Sequence, residues 1–204
     1  GSSQNTESRG RIHMGHKHEK IRDLFEISPI ITAVKDEQGL EKALKTESPV
    51  VFLLFGNICN ITGLVDQVKN SGKIAIVHVD LIQGLSSKEV AVDFIHQNTR
   101  ADGIISTKAP LVRHAMDLGM IGGQRTFLID SMALETTKKQ LLTFQPDFME
   151  LMPGVMPKIL KTVRGYTEIP LVAGGLISDK KDILAAFDAG VDAVSTTREE
   201  LWGL

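Results

Sequence analysis

The sequence lacks the features that mark several large classes of protein. Among its 204 residues there is one cysteine, Cys59, which cannot form a disulfide within the chain. Aromatic residues make up 5% of the chain and the formal net charge is −2, so composition offers no global basic surface for nucleic acid. No apolar run approaches the roughly 18 residues that a membrane helix requires. These absences predict a cytoplasmic protein with no membrane partner.

Motifs for common cofactors and nucleophiles are also missing. There is no Walker loop, no GxGxxG fingerprint and no nucleophile elbow. His16 and His18 lie close together, but no further His or Cys lies near them in sequence to complete a metal site. His78 falls inside a predicted strand, where we expect a packed, hydrogen-bonded histidine rather than a catalytic one. We therefore expect no metal, no cofactor and no catalytic residue.

The first 13 residues differ from the rest of the chain. They are polar and aperiodic, and they precede Met14, which reads as the natural start after an expression-tag remnant. The remaining residues are rich enough in apolar side chains to bury one sizeable core. We expect residues 14–204 to form a single domain.

Short apolar runs alternate with amphipathic segments along this domain. The predicted strands are 29–34, 50–55, 73–80, 101–107, 124–130, 146–152, 171–173 and 191–194. Eight strands alternating with helices favour a closed parallel (β/α)₈ barrel of the TIM type over an open α/β sheet. The units are short, so we expect a compact barrel. A degenerate barrel without its last helix is the alternative, because few residues follow Thr197.

Two segments four strands apart have similar sequences. Residues 101–108 read ADGIISTK, and residues 191–198 read VDAVSTTR. A repeated unit of this kind supports a barrel, although chance produces such matches too.

The turn after the seventh predicted strand and the end of the eighth have the composition of a phosphate site. Gly174 and Gly175 leave backbone N–H groups unshielded, and the hydroxyl-rich stretch Ser195, Thr196 and Thr197 ends the next strand. The loops after strands 7 and 8 of TIM barrels often bind phosphate. The simpler alternative is that the glycines only permit a tight turn.

Four charged residues follow other predicted strands, namely Asp80, Lys108, Asp130 and Glu150. The carboxyl ends of barrel strands meet at one mouth, so we expect all four to face a shared ligand pocket. Lys108 could instead be a solvated loop residue, and Asp130 could cap the next helix. Glu150 lies among apolar residues and needs a partner, for which Lys108 is the predicted cation.

Seven segments together carry a family resemblance: 30–34, 52–57, 78–85, 102–108, 127–131, 149–154 and 172–176. They resemble the glycerol uptake operon antiterminator regulatory proteins of bacteria, and the likeness covers about residues 24–202. The resemblance implies a cytoplasmic, non-enzymatic regulator that senses glycerol 3-phosphate. It also implies that the liganded protein acts on leader mRNA to prevent premature termination of glycerol-metabolism transcripts.

The residues themselves support the ligand but give no independent sign of RNA binding. There is no RNP motif, and the basic clusters are equally typical of solvated helix faces: 138–139, 158–164 and 180–181. Two functions therefore stay open, a ligand-gated RNA-binding regulator and a barrel enzyme, either of which could be a homo-oligomer. The enzyme would be an isomerase, lyase or synthase acting on a small phosphorylated substrate. Residues 83–87 and 153–155 are the predicted hinges through which ligand and RNA binding would be coupled.

Overall fold

The computed structural model describes residues 19–204. The predictions made for residues 1–13, for the start at Met14 and for His16 and His18 lie outside this range. Eight parallel strands close into one barrel in chain order, which confirms the predicted (β/α)₈ TIM-type fold. The strands are β1 (Ile30–Val34), β2 (Val50–Leu53), β3 (Ile74–His78), β4 (Gly103–Ser106), β5 (Ile121–Phe127), β6 (Phe148–Met152), β7 (Leu171–Ala173) and β8 (Ala193–Thr196).

Helices surround the barrel. They are α1 (residues 19–27), α2 (Glu37–Ala43), α3 (Ile61–Asn70), α4 (Glu89–Asn98), α5 (Ala109–Asp117), α6 (Ser131–Thr143), α7 (Pro157–Arg164) and α8 (Lys180–Asp188). Carboxylates at the N-caps of α2, α6 and α8 accept the N–H of the third helical residue, which explains where these helices begin. Within the described residues, β8 is followed by a 3₁₀ turn, Glu199–Leu201.

The barrel interior is filled by a cluster of apolar side chains that is separate from the layer between strands and helices. Phe52 stacks on Phe148 inside the barrel, with ring centroids 5.6 Å apart. Ile21 and Phe25 of α1 belong to the same interior cluster. Helix α1 leads directly into the start of β1, and its side chains pack on the interior cluster from that side. It therefore closes the amino-terminal end of the barrel, and the carboxyl end is the open mouth.

The prediction for β5 was displaced by three residues. Residues 124–130 were expected to form the strand, but the strand is Ile121–Phe127. A Cβ on Gly123 would overlap the Phe148 ring, so this glycine makes room for an interior side chain rather than a turn. Asp130 therefore lies three residues beyond the strand end. Similarly, β8 was expected at 191–194 and lies at Ala193–Thr196.

Within residues 19–204, no helix combines the length and apolar character that crossing a bilayer would demand.

Candidate ligand-binding site at the barrel mouth

A cavity of about 220 Å³ opens at the carboxyl ends of the strands. It is lined by residues of β1, β5, β6 and β8 and of the loops after β2, β7 and β8: Ala33, Leu54, Arg125, Glu150, Met152, Gly175, Leu176, Ile177, Ser195, Thr196 and Thr197. Pockets for drug-sized ligands are about 300–1,000 Å³, so this cavity suits a smaller molecule.

Strand register explains why a cavity forms here. Inward-facing residues of a barrel form layers along its axis, and alternate strands contribute to each layer. The strand register puts Ala33, His78, Arg125 and Gly174 in one such layer, or level. Two of these four have almost no side chain, which leaves space beside the larger two. Glu150 and Ser195 belong to the level beneath and form the floor.

A buried network of three polar side chains holds this floor together. Arg125 Nε donates to Glu150 Oε1 at 2.5 Å, and Ser195 Oγ donates to Glu150 Oε2 at 2.6 Å. Glu150 is only 1% exposed, so its charge depends on these partners. A Cβ on Gly174 would lie 2.6 Å from Ser195 Oγ, which explains why a glycine is needed beside the network.

The predicted partnership between Lys108 and Glu150 is wrong, because the cation on Glu150 is Arg125. Lys108 Nζ instead lies 3.7 Å from Asp80 Oδ1. Sequence reasoning missed Arg125 because the predicted bounds of β5 were three residues too late. That error reversed which residues of the strand were expected to face the barrel interior. The available signal was a lone arginine in an otherwise uncharged strand.

Asp80 belongs to a second polar group at the end of β3. Its carboxylate accepts hydrogen bonds from Ser106 Oγ at 2.7 Å, Thr107 N at 2.8 Å and Thr107 Oγ1 at 2.9 Å. Burial is the largest influence and raises the pKa of Asp80, but the hydrogen bonds from Thr107 and Ser106 together outweigh it and leave the pKa below its usual value. Neither Asp80 nor Lys108 lines the 220 Å³ cavity.

The turn after β7 presents backbone N–H groups to the cavity. Gly154 N donates to the carbonyls of Gly174 at 2.6 Å and Gly175 at 3.1 Å. In a planar trans peptide the N–H points away from the preceding carbonyl, so the N–H groups of Gly175 and Leu176 point away from Gly154. Both residues line the cavity, and their φ angles are +80° and +60°. Leu176 is the one non-glycine residue within 19–204 with a positive φ, a strain typical of functional turns.

The end of β8 provides a third free amide. Within the described part of the chain, the N–H groups of Gly175, Leu176 and Thr197 donate to no protein acceptor. We call these three amides the anion nest. The hydroxyls beside them are partly used already, since Ser195 donates to Glu150 and Thr196 Oγ1 accepts the N–H of Arg198.

Asp130 is not at this cavity. Its carboxylate accepts the N–H of Ala133 at 2.7 Å and caps α6, and it borders a separate cleft of about 390 Å³ between β5 and α6. The structure thus brings together Glu150, Gly175, Ser195, Thr196 and Thr197 around one cavity, with Gly174 packed against Ser195 and Glu150.

His78 is packed inside the barrel as predicted, at 2% exposure, but its ring makes no hydrogen bond within residues 19–204. Burial lowers the pKa of His78 to about 4, with the Arg125 and Lys108 cations adding to the decrease and Asp80 opposing it. His78 is therefore neutral near pH 7. Residues 19–204 contain no group of three or more His, Cys, Asp or Glu residues that could hold a metal ion.

The site has the donors for a small anion and the acceptors for hydroxyl groups. Three amides and the Arg125 guanidinium supply N–H groups, while Glu150 and Ser195 supply oxygen atoms beneath them. This combination suits a phosphorylated polyol.

Comparison with known proteins gives several relatives. The chain is 43% identical over 181 residues to the Escherichia coli K12 protein YgcP, described as uncharacterized, which covers 89% of this chain and 95% of that protein. A glycerol uptake operon antiterminator regulatory protein from Listeria monocytogenes shares 31% identity at a TM-score of 0.82, over 86% of this chain and 95% of that one. A glycerol uptake operon antiterminator-related protein from Thermotoga maritima shares 30% identity at a TM-score of 0.75, over 86% and 98%.

More distant structures share only the fold. Orotidine 5'-phosphate decarboxylase from Pyrococcus horikoshii is 14% identical at a TM-score of 0.63, over 82% of this chain and 88% of that one. The model of the family described as glycerol-3-phosphate responsive antiterminator matches residues 30–202, from the first strand of the barrel to the turn after the last. This chain belongs to the glycerol-3-phosphate responsive antiterminator family.

Proposed function

We propose that this protein binds glycerol 3-phosphate at the barrel mouth and, in response, binds the leader mRNA of glycerol-metabolism operons to prevent premature termination. The observation that carries the proposal is the anion nest of Gly175, Leu176 and Thr197 facing the Arg125–Glu150–Ser195 network across one small cavity. Membership of the glycerol-3-phosphate responsive antiterminator family supports this ligand, and the polar groups of the cavity are suited to bind it.

In the proposed complex, the phosphate occupies the anion nest. Three amides that donate to no protein atom are available to its oxygens, and Arg125 supplies positive charge from the facing wall. The glycerol hydroxyls reach the floor, where each oxygen of Glu150 accepts one protein hydrogen bond and keeps a lone pair for the ligand. Asp80 and Lys108, which remain predicted ligand residues, would contact only a ligand that extends toward β3.

The enzyme alternative makes a different demand on the same residues. Acid–base catalysis would need a group free to exchange a proton with the substrate. The carboxylate at this cavity is Glu150, and both of its oxygens are engaged by Arg125 and Ser195. This engagement favours a binding role for Glu150. Assays of purified protein on small sugar phosphates test whether the protein is an enzyme. Turnover of any of these substrates would support the enzyme alternative.

Calorimetry tests the ligand with a matched pair of glycine variants. Gly175 and Gly119 both have a positive φ, +80° and +83°, so a valine at either position meets similar backbone strain. Nothing lies within 4 Å of a Cβ on Gly119, whereas a Cβ on Gly175, which is part of the anion nest, would lie 2.7 Å from Met152 Cε at the cavity wall. We expect Gly175→Val to abolish glycerol 3-phosphate binding and Gly119→Val to retain it. Equal losses in the two variants would remove the anion nest from the proposal.

Gel-shift titration tests the proposed binding of leader mRNA. The protein should bind the leader transcript of a glycerol-metabolism operon more tightly with glycerol 3-phosphate than without it, at fixed salt because phosphate contacts are salt-sensitive. Binding that ignores the ligand, or no binding at either condition, would contradict the proposed response.

A further inference from the structure

Two pairs of neighbouring strands, β3–β4 and β7–β8, occupy matching places in the two halves of the barrel. Strands β4 and β8 belong to the similar segments 101–108 and 191–198. The strand register extends the match to β3 and β7, because equivalent residues are partners in both pairs: Val77 with Ile104, and Ala173 with Val194. Residues beyond the strand ends can therefore be compared between the two halves.

The first half has a carboxylate at a position where the second half has none. Three residues after Val77 comes Asp80, and three residues after Ala173 comes Leu176. The side chain of Leu176 is uncharged and 75% exposed, and it borders the ligand cavity. The second half thus supplies no carboxylate of its own at the equivalent position.

The donors that hold the Asp80 carboxylate lie at the end of β4. Ser106 donates through its hydroxyl at 2.7 Å, and Thr107 donates through its N–H at 2.8 Å and its hydroxyl at 2.9 Å. Lys108 Nζ, 3.7 Å from the same carboxylate, adds a cation. Three consecutive residues therefore form a binding site for an anionic group, and the protein fills it with Asp80.

The three equivalent residues at the end of β8 are Thr196, Thr197 and Arg198, so two hydroxyls and a cation recur in the same order. Thr196 Oγ1 accepts the N–H of Arg198 at 3.0 Å, and the equivalent hydroxyl, Ser106 Oγ, accepts the equivalent N–H at 3.0 Å. The local backbone is therefore folded alike. Within residues 19–204, however, the hydroxyls of Thr196 and Thr197 donate to no protein acceptor, and both residues line the ligand cavity.

The cation of this second set, Arg198, has a weak partner. Its Nη1 lies 3.4 Å from Glu200 Oε1, only two residues along the chain, and the two side chains are 54% and 65% exposed. Ion pairs as exposed as this one contribute little. A phosphate offers a guanidinium two parallel, charge-assisted hydrogen bonds, so Arg198 gains by exchanging Glu200 for a phosphate.

We infer that Arg198, together with the hydroxyls of Thr196 and Thr197, binds the phosphate of the ligand at the end of β8. The phosphate takes the role that the Asp80 carboxylate has in the first half, and Arg198 releases Glu200 to reach it. The inference rests on the proposed function, because it adds a cation and two hydroxyls to the anion nest. These hydroxyls and the amides of the anion nest exceed the roughly four lone-pair sites of a carboxylate, whereas the three free oxygens of a phosphate can accept them all.

Calorimetry with glycerol 3-phosphate, and with inorganic phosphate as a displacing probe, tests the role of Arg198. Arg198→Gln should weaken both probes by the same factor, at least about tenfold, which is the usual cost of a lost hydrogen bond between charged groups. The matched control is Arg100→Gln. Arg100 is also 54% exposed and ion-paired, with Asp66, but it precedes β4 at the opposite end of the barrel. This control should keep the wild-type affinity for both probes.

Glu200→Gln should change the affinity in the opposite direction. It frees Arg198 from a competing partner, so glycerol 3-phosphate should bind more tightly, by at most about fivefold because an exposed pair is weak. The gain should vanish in the double variant Arg198→Gln/Glu200→Gln, since Glu200 acts through Arg198. A gain that persists in the double variant would overturn the exchange of partners.

A third pair of variants tests the hydroxyl of Thr197. Thr197→Val keeps the shape of the side chain without the hydroxyl and should weaken both probes by about tenfold. Thr197→Ser keeps the hydroxyl and should restore most of the affinity. Wild-type affinity in Thr197→Val would remove this hydroxyl from the phosphate site.

The outcomes distinguish this inference from the function on which it rests. Wild-type protein that binds neither probe would contradict the ligand of the proposed function, and the inference would fail with it. If wild-type protein binds glycerol 3-phosphate and Arg198→Gln binds it equally well, only the inference is overturned. Equal losses in Arg198→Gln and Arg100→Gln would reflect net charge and would overturn the inference as well.

Discussion

At the residue scale, Arg125 has the most consequential position in the molecule. Its Nε is hydrogen-bonded to Glu150 inside the barrel, and the residue borders both the ligand cavity and the cleft between β5 and α6. An arginine is suited to this because its planar fork can bind one carboxylate and still offer N–H donors in another direction.

The Arg125–Glu150 pair leads to a stability prediction. Arg125→Met removes the cation from a carboxylate that is 1% exposed, so the free energy of unfolding should fall by about 3–5 kcal/mol. The double variant Arg125→Met/Glu150→Gln leaves no uncompensated charge and should recover most of that loss. Urea unfolding of the two variants and of wild type measures both values. A double variant as unstable as the single one would mean that packing, not charge, holds this region.

A second prediction concerns His78 and pH. The pKa of His78 is about 4 in the folded protein and about 6.5 in an unfolded chain, so below pH 6.5 the unfolded state binds the extra proton. The stability contributed by neutral His78 is complete above pH 6.5 and is lost as the pH falls toward 4. Between pH 7 and pH 5 this loss should reach about 2 kcal/mol.

The matched variant for this prediction is His78→Gln, which has no titrating ring. The difference in unfolding free energy between wild type and His78→Gln should change by about that amount between the two pH values, as measured in urea. A difference that stays constant with pH would show that His78 titrates normally in the folded protein.

At the element scale, the two similar segments 101–108 and 191–198 prove to be structurally equivalent. Asp102 accepts the N–H of Ala75, and Asp192 accepts the N–H of Leu171, so each ties its own strand to the start of the preceding one. Each carboxylate also pairs with a cation at the end of a helix, Lys69 or Arg164.

The other ends of the two segments match as well. Ser106 Oγ accepts the N–H of Lys108, and Thr196 Oγ1 accepts the N–H of Arg198. The sequence similarity thus reflects one local solution, repeated where β4 and β8 leave the barrel.

These carboxylates provide a prediction at this scale. Asp102→Ala and Asp192→Ala each remove a charge-assisted hydrogen bond to a strand N–H, so each should lower the free energy of unfolding by about 1.5–3 kcal/mol. The control is Asp66→Ala, which breaks a largely exposed pair with Arg100 and should cost less than about 1 kcal/mol. Thermal or urea unfolding of the three variants decides the matter, and three similar losses would count against a special role for the two strand-linking carboxylates.

At the scale of the whole molecule, a packed barrel transmits a ligand signal through its mouth rather than its core. Of the two predicted hinges, segment 153–155 is connected to the anion nest, because Gly154 N donates to the carbonyls of Gly174 and Gly175. Segment 83–87 is instead bound to the turn after β2, where Gln83 exchanges backbone hydrogen bonds with Gly56 and Ile58. We therefore expect coupling to run through the loop that leads into α7 and through Arg125.

Reciprocity is the prediction for the molecule as a whole. If glycerol 3-phosphate tightens RNA binding by some factor, RNA must tighten glycerol 3-phosphate binding by the same factor, typically worth about 1–3 kcal/mol. Calorimetric titration of glycerol 3-phosphate with and without saturating leader RNA, at one salt concentration, measures this factor. Equal affinities in the two titrations would mean that any RNA binding is constitutive.

The fold and part of the site were predictable because local patterns determine them. Apolar runs separated by amphipathic stretches predicted eight strands and the closed barrel, and four of the residues expected at a phosphate site, Gly175 and residues 195–197, line one cavity. Those patterns depend on neighbouring residues along the chain, so they can be read from the sequence. The ligand roles of these residues remain predictions that the experiments above address.

The partners of the charged residues were decided only by the tertiary structure. Whether Glu150 meets Lys108 or Arg125 depends on which strands are adjacent and on their register, and one displaced strand moved Arg125 into the barrel and Asp130 onto a helix cap. The same holds for His78 and Gln124, whose unsatisfied atoms exist only because particular neighbours surround them. Sequence periodicity indicates which residues form strands. Only the closed barrel determines which side chains from different strands lie at the same height, and a binding site depends on those neighbours.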